Sequence, residues 1–373
     1  MGVSTFGHTR FFAVGMKLVV FGLSVSSSWG NGHATLWRGL IRALARLGHQ
    51  VVFYERDVPY YAEHRDLPSL VDGTLRLYSD WDAASELARR DVQDADAAIV
   101  TSYCHDGIAA AELVLGCGAG VRVFYDLDTP ITLERLRRGD QVPYLPQEGL
   151  GEFDLVLSYT GGTALEELEQ RLGARRVVPL YGSVDPAVHY PVGPVERFHS
   201  DLSYLGTYAE DRQEALFRLF IEPARRRAAL RFLLGGAQYP AAFPWADNIY
   251  FVRHLPPAEH SAFYCSSRLT LNVTRAPMAD MGYCPSGRLF EAAACGAAVL
   301  SDVWPGLEEF FQPGTEILVA NTTDDVLAAL DLPDEQLAEI GRAARERVLA
   351  DHTAERRALQ LIAALEGALT VEA

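Results

Sequence analysis

Lys17-Leu18-Val19-Val20-Phe21-Gly22, followed by Ser28-Trp29-Gly30-Asn31-Gly32-His33, decides the fold. The first segment is a continuous apolar run, the pattern of a strand buried on both faces. A loop of small residues follows. Leu36, Leu40, Ile41, Leu44 and Leu47 then recur at helical spacing up to Gly48, and Val51 to Tyr54 read as a second strand. Gly30 and Gly32 flank Asn31, so the backbone can come close to a ligand before it turns into the helix. The loop is not a complete G-x-G-x-x-G, because Thr35 stands at the last position, and on its own it is weak evidence for a dinucleotide. His33 opens the helix at the carboxyl end of the strand. A neutral imidazole there can take a proton from a hydroxyl, or it can simply be a helix-start histidine satisfied by backbone.

Outward from this unit the alternation continues. Strands are expected over 97–100, 121–125, 155–158 and 177–180, with helices over 106–115 and 163–172. Pro186, Pro191 and Pro194 mark a linker over 184–200. A second series follows, with strands over 202–205, 230–234, 249–251, 269–272, 298–300 and 316–319. Helices are expected over 212–229, open to a kink or split at Pro223, and over 288–295, 334–349 and 353–369. Strands alternating with helices predict α/β architecture: two Rossmann-like, doubly wound domains facing a central cleft. The boundaries expected are an extension over 1–15, one domain over 16–190, a second over 191–352 and a closing helix over 353–373.

Composition narrows the partners. The chain has 373 residues, 33 basic against 49 acidic, and a formal charge of −16. That balance argues against a nucleic-acid partner, because such affinity comes mainly from neutralising phosphates. Lys17 is the sole lysine and the other 32 basic residues are arginine, so local anion sites are open to it. The five cysteines include no C-x-x-C pair, which fits neither a disulfide framework nor a zinc site. No apolar run reaches the ~18–20 residues of a membrane span, and no signal peptide is visible. A cytoplasmic location is expected.

The second informative stretch runs Pro285-Ser286-Gly287-Arg288-Leu289-Phe290-Glu291 into the small-residue segment that ends at Asp302. Ser286 and Gly287 precede a helix whose free N–H groups favour an anion. Arg288 can add charge-assisted hydrogen bonds to a pyrophosphate, and Glu291, one turn on, can accept both hydroxyls of a ribose.

These residues resemble the nucleotide-sugar motif of GT-B glycosyltransferases, and most closely that of the CgeB-like (spore-maturation-protein) glycosyltransferase family. Ser203-Tyr204-Leu205-Gly206-Thr207-Tyr208-Ala209-Glu210-Asp211-Arg212, Asn272-Val273-Thr274-Arg275, Trp304-Pro305-Gly306-Leu307-Glu308-Glu309-Phe310-Phe311 and the Gly30–His33 loop carry the same likeness, from about Lys17 to Ala320. The resemblance implies metal-independent transfer of a sugar from a nucleotide-diphosphate sugar to a small-molecule or glycan acceptor. UDP is expected ahead of TDP or GDP, with no further cofactor. The donor would lie on the second domain, against Gly206, Tyr208, Arg212, Arg275, Ser286, Gly287, Arg288 and Glu291. The acceptor would lie on the first, against Gly30, Asn31, Gly32 and His105.

His33 matches the catalytic histidine of inverting members. The paired glutamates of retaining members are broken here, since Tyr283 stands eight positions before Glu291. Inversion with His33 as general base is therefore expected. Asp126-Leu127-Asp128 has metal-motif spacing but falls in the acceptor domain, where it reads as acceptor contact, alternative base, orienter of His33 or a capped turn. A sugar-nucleotide epimerase and a non-catalytic nucleotide-sugar-binding protein are the competing readings.

Overall fold

The structure, a computed structural model, describes residues 15–369. The expected extension therefore lies outside the described residues except for Gly15, as does the end of the closing helix beyond Leu369. The first sheet contains β1 (Lys17–Gly22), β2 (Gln50–Arg56), β3 (Thr74–Tyr78), β4 (Ala97–Thr101), β5 (Val121–Asp126), β6 (Leu155–Ser158) and β7 (Val177–Pro179). Its order is β3-β2-β1-β4-β5-β6-β7, and every pair is parallel. The second sheet contains β8 (Ser200–Leu205), β9 (Phe232–Gly236), β10 (Ile249–Arg253), β11 (Ser267–Asn272), β12 (Val299–Ser301) and β13 (Leu318–Val319). Its order is β10-β9-β8-β11-β12-β13, again all parallel.

Parallel strands need covered faces, and both sheets have them. Leu18 and Val20 of β1 pack with Trp37, Leu40, Ile41 and Leu44 of the helix Gly32–Arg46, while Val19 and Phe21 point into the opposite layer with Tyr54, Ala98 and Val100. In each sheet the strand order reverses once, between β1 and β4 and between β8 and β11. A crevice opens at such a point because the following connections leave toward opposite faces.

The chain crosses between the sheets twice, side by side. Val184 pairs with Thr353, with Val184 N–H donating to His352 O (3.0 Å) and Ala354 N–H to Val184 O (2.8 Å). Buried Arg357 ties the crossings together: Nε donates to Tyr181 O and Gly182 O, both at 3.1 Å, and Nη1 to Asp351 O at 3.1 Å. The last helix, Ala354–Leu369, then seats Ala358, Leu361 and Leu365 in the core of the first sheet.

Several elements depart from the sequence expectation. The helix expected over 212–229 is broken into a 3-10 turn at Glu210–Arg212, a short helix Gln213–Leu216, a π-turn at Phe217–Ile221 and a last turn Glu222–Arg226. Pro223 has no N–H for the regular ladder, and the wider turn before it absorbs the missing bond. The strand expected over 316–319 shrinks to β13. Strand β3 and the helices Trp81–Gln93 and Thr129–Arg138 have no counterpart in the expectation.

Candidate active site

Both reversal points open on one cleft of about 550 Å³ between the domains, within the usual range for small-molecule sites. Gly30, Asn31, Gly32, His33, Tyr103 and Asp128 line its first-domain side. Gly206, Tyr208, Arg212, Arg275, Ser286, Gly287, Arg288 and Glu291 line the other.

On the first side, Asn31 caps the helix Gly32–Arg46: its side chain accepts from His33 N–H (3.0 Å), while its amide donates to Ser24 O and Ser27 O. The loop before it is held from below by Glu55, fully buried at the end of β2. That carboxylate accepts from Val25 N–H (2.7 Å), Ser26 N–H (2.9 Å), Ser24 Oγ (2.9 Å) and Ser26 Oγ (2.6 Å). His33 Nε2 stands 3.5 Å from Asp128 Oδ2, and buried Nδ1 has no hydrogen-bond partner. Nε2 thus faces a carboxylate, while Nδ1 is enclosed without a hydrogen bond. Asp128 begins the helix Thr129–Arg138 without making a side-chain cap, which leaves its carboxylate for the imidazole.

Two expected residues of this side stand elsewhere. Asp126 is fully buried beneath the cleft, where Oδ1 accepts from Asp128 N–H (3.1 Å) and Oδ2 has no partner. Burial pushes its carboxyl up to about 6. It therefore supports Asp128 and does not meet a ligand. His105 is exposed and lies outside the cleft lining; its neighbour Asp106 turns to Arg56 (2.7 Å) and Tyr78 (2.9 Å).

On the second side, Arg288 Nη1 donates to Leu205 O (2.8 Å), Nη2 to Val273 O (3.3 Å) and Nε to Ser286 Oγ (3.1 Å). The guanidinium thereby joins the ends of β8 and β11. A Cβ on Gly206 would lie 2.8 Å from Arg288 Nη1 and from Tyr204 Oη, so a side chain there would displace this guanidinium. Arg212 donates to Thr207 O (3.0 Å), and its buried Nε makes no hydrogen bond. Burial, with Arg288 and Arg275 nearby, pushes its basicity down. Arg275 pairs with Asp211 at 2.8 Å. Three guanidinium groups around one wall make a place where an anion relieves repulsion. Glu291 lies in the cleft floor beside two histidines. His260 Nδ1 is 3.5 Å from Oε2, and His189 Nε2 is 4.0 Å from Oε1.

Several lining residues escaped sequence reasoning. Tyr103 holds a positive φ of 63° between His33 and the opposite wall. His254, with φ 50°, lines the cleft with its ring 4.3 Å from that of Trp29 at a 51° tilt; outside the lining, Gln238 Nε2 donates to Tyr60 Oη at 2.9 Å. His260 and Leu255 line the floor. Single residues after strand ends carry no motif; the only signal for them was the strand ends themselves.

Residues 212–363 match a family described as glycosyl transferase-like. No curated protein matches the chain in sequence. Among solved structures, sucrose-phosphate synthase from Thermosynechococcus elongatus is similar with a TM-score of 0.69 and 14% identity, over 96% of this chain and 100% of that one. HepE from Anabaena, solved with UDP and glucose, gives 0.65 and 13% over 94% and 100%. An alpha-glucosyltransferase in complex with UDP and a 13-mer DNA gives 0.69 and 14% over 94% and 99%. The fold is GT-B. Two independent likenesses thus agree: the whole chain has the GT-B fold, and its second domain carries the glycosyl transferase-like match.

One expectation is corrected. The acidic balance was read as arguing against a nucleic-acid partner, yet a protein of this fold is solved with DNA, so that exclusion does not stand. Net charge sums the whole surface, whereas a partner is met by the local field at one cleft. Among the described residues no helix is long and apolar enough to cross a membrane.

Proposed function

We propose that the chain transfers a sugar from a nucleotide-diphosphate sugar to an acceptor hydroxyl with inversion, without a metal in the transfer step, and that it is a CgeB-like member of the GT-B class. One observation carries this reading: the His33–Asp128 pair and the Arg212, Arg288 and Glu291 group line the same cleft from opposite domains. UDP is the first donor nucleotide to test, because similar structures are solved with UDP. Residues 16–190 form the acceptor domain on this reading, 191–352 the donor domain, and the helix from 353 closes the chain back onto the first.

His33 takes the acceptor proton on its imidazole, and Asp128, 3.5 Å from Nε2, stabilises the imidazolium that results. The hydroxyl oxygen attacks the anomeric carbon, the bond to the diphosphate breaks, and the leaving charge settles among the helix N–H groups at Ser286 and Gly287 with Arg212, Arg275 and Arg288. Glu291 holds the ribose hydroxyls. Gly30, Asn31 and Gly32 shape the acceptor wall, and Tyr208 flanks the donor.

Thermal-shift titration of the chelator-treated protein against UDP-, TDP- and GDP-sugars tests the donor. A ligand at 100 times its Kd stabilises by about 2.7 kcal/mol. The anomeric configuration of the product, read by NMR, tests the mechanism; retention would remove His33 as base. Epimer formation from donor alone would replace transfer by epimerisation.

A further inference from the structure

The donor pocket contains a cluster of which donor binding, on the reading above, uses only Glu291. His189 comes from the linker between the sheets, His260 from the helix Pro257–Cys265 and Glu291 from the helix Gly287–Ala294. Their facing atoms lie 3.4 Å (His189 Nε2 to His260 Nδ1), 3.5 Å (His260 Nδ1 to Glu291 Oε2) and 4.0 Å (His189 Nε2 to Glu291 Oε1) apart. Charge-assisted hydrogen bonds would draw such groups to about 2.7–2.9 Å, and no edge of this triangle is that short. Ligands of a tetrahedral zinc ion, with bonds of about 2.0–2.1 Å, stand about 3.3–3.4 Å apart. Two edges match that spacing, and a small turn of the carboxylate closes the third.

The surroundings agree with ligation. His260 Nε2 lies 3.2 Å from Leu255 O, which fixes the proton on Nε2 and aims the Nδ1 lone pair at the other two groups. This is the usual support for a metal-bound imidazole. His189 and Glu291 are 4% and 8% exposed, while His260 and Glu291 border the cleft. Two imidazoles and a carboxylate with one open position form a donor set suited to a borderline divalent ion. Among the described residues, this is the group of His, Cys, Asp and Glu side chains close enough to share an ion, and the Asp126–Asp128 pair is not part of it.

We propose that His189, His260 and Glu291 form a Zn²⁺ site in the floor of the donor pocket, and that zinc and nucleotide exclude each other. The exclusion rests on the reading of Glu291 as the ribose-holding group, because one carboxylate cannot ligate the ion and accept two ribose hydroxyls together. Zinc is an inhibitor on this reading and takes no part in transfer.

The test uses the full chain, stripped with chelator and dialysed. Zn²⁺ added in calorimetry is expected to bind at one equivalent, and Co²⁺ in its place to give the intense visible absorption of a four-coordinate ion. His189→Gln should weaken Zn²⁺ binding about tenfold or more, while UDP affinity in chelator stays unchanged. At buffered free Zn²⁺, the apparent UDP affinity should fall as zinc rises. Absence of stoichiometric binding, a six-coordinate cobalt spectrum, or unchanged zinc affinity in a folded His189→Gln variant overturns the site. The cobalt spectrum decides alone if that variant does not fold. Zinc-independent UDP affinity overturns the exclusion. Failure of UDP to bind the chelated protein sinks the donor reading and leaves the cobalt result standing.

Discussion

Replacing Asp128 with asparagine tests the proposed base most directly. It keeps the size and one oxygen of the side chain and removes its charge. The charge lies 3.5 Å from His33 Nε2, with the two side chains 20% and 17% exposed. Coulomb's law puts the attraction for an imidazolium at that distance at about 1 kcal/mol in water and about 5 kcal/mol at an effective dielectric of about 20. Partial exposure of both side chains places it near the middle of that range, about 3 kcal/mol, so kcat should fall on the order of 10²-fold. Donor affinity should not fall, because Asp128 makes no hydrogen bond to a donor-side group and its charge, which bears on Arg275, opposes an anion there. The assay is steady-state release of the nucleotide diphosphate, run on Asp128→Asn, His33→Ala and the double variant. If the carboxylate acts through the imidazole, it has little left to do once His33 is gone, and the double variant should match His33→Ala. Full turnover in Asp128→Asn, or losses that multiply in the double variant, would refute the pairing.

Three further outcomes are expected. Glu291→Ala should weaken UDP binding by about 1.5–3 kcal/mol, or about 10- to 10²-fold, in calorimetry with chelator present. Asp126 has its pKa raised to about 6 from a usual value near 3.8, so the folded state holds this proton more tightly than the unfolded one; the stabilisation is complete below about pH 4 and lost as pH rises through about 6. Asp126→Asn escapes that loss and should gain on the order of 3 kcal/mol over the parent between pH 4 and pH 8 in urea unfolding. Glu55→Ala strands two backbone N–H groups and two hydroxyls and should cost about 3–5 kcal/mol by the same measurement.

The parts of the fold legible in the sequence are those whose burial writes a simple pattern. β1 and β4 are enclosed on both faces and read as apolar runs, and the helix Gly32–Arg46 shows its stripe because a single face is buried. β3 sits at the sheet edge, half covered, as Thr74-Leu75-Arg76-Leu77-Tyr78, and the helix Trp81–Gln93 beside it buries only Ala88 and Val92. Neither needs enough apolar residues to leave a period. The helix Thr129–Arg138 is masked differently, since Pro130 starts it and three arginines end it. For the site, the local motif was readable because Ser286, Gly287, Arg288 and Glu291 stand together at one helix start. His189 and His260 reach Glu291 from 102 and 31 positions away, and only packing brings them together.

The distribution of charge around the cleft bears on why the chemistry would need two domains. Transfer creates opposite charges at once: a cation where the acceptor proton goes and an anion where the diphosphate leaves. On the proposed reading the first arises on His33, beside Asp128 and above buried Asp126, and the second among Arg212, Arg275 and Arg288. Each half is thus pre-charged against the ion that forms on its own side, so little has to reorient during reaction. A single sheet would place both sets on neighbouring strand ends, where Asp128 and Arg288 would neutralise each other before substrate arrived. Here the sets sit on separate sheets that meet across the cleft and share a covalent pivot at Val184 and Thr353, pinned by Arg357. The Trp29–His254 ring contact and the Tyr60–Gln238 hydrogen bond add direct links between the two halves, so the charges on each side are held at a set distance from the other.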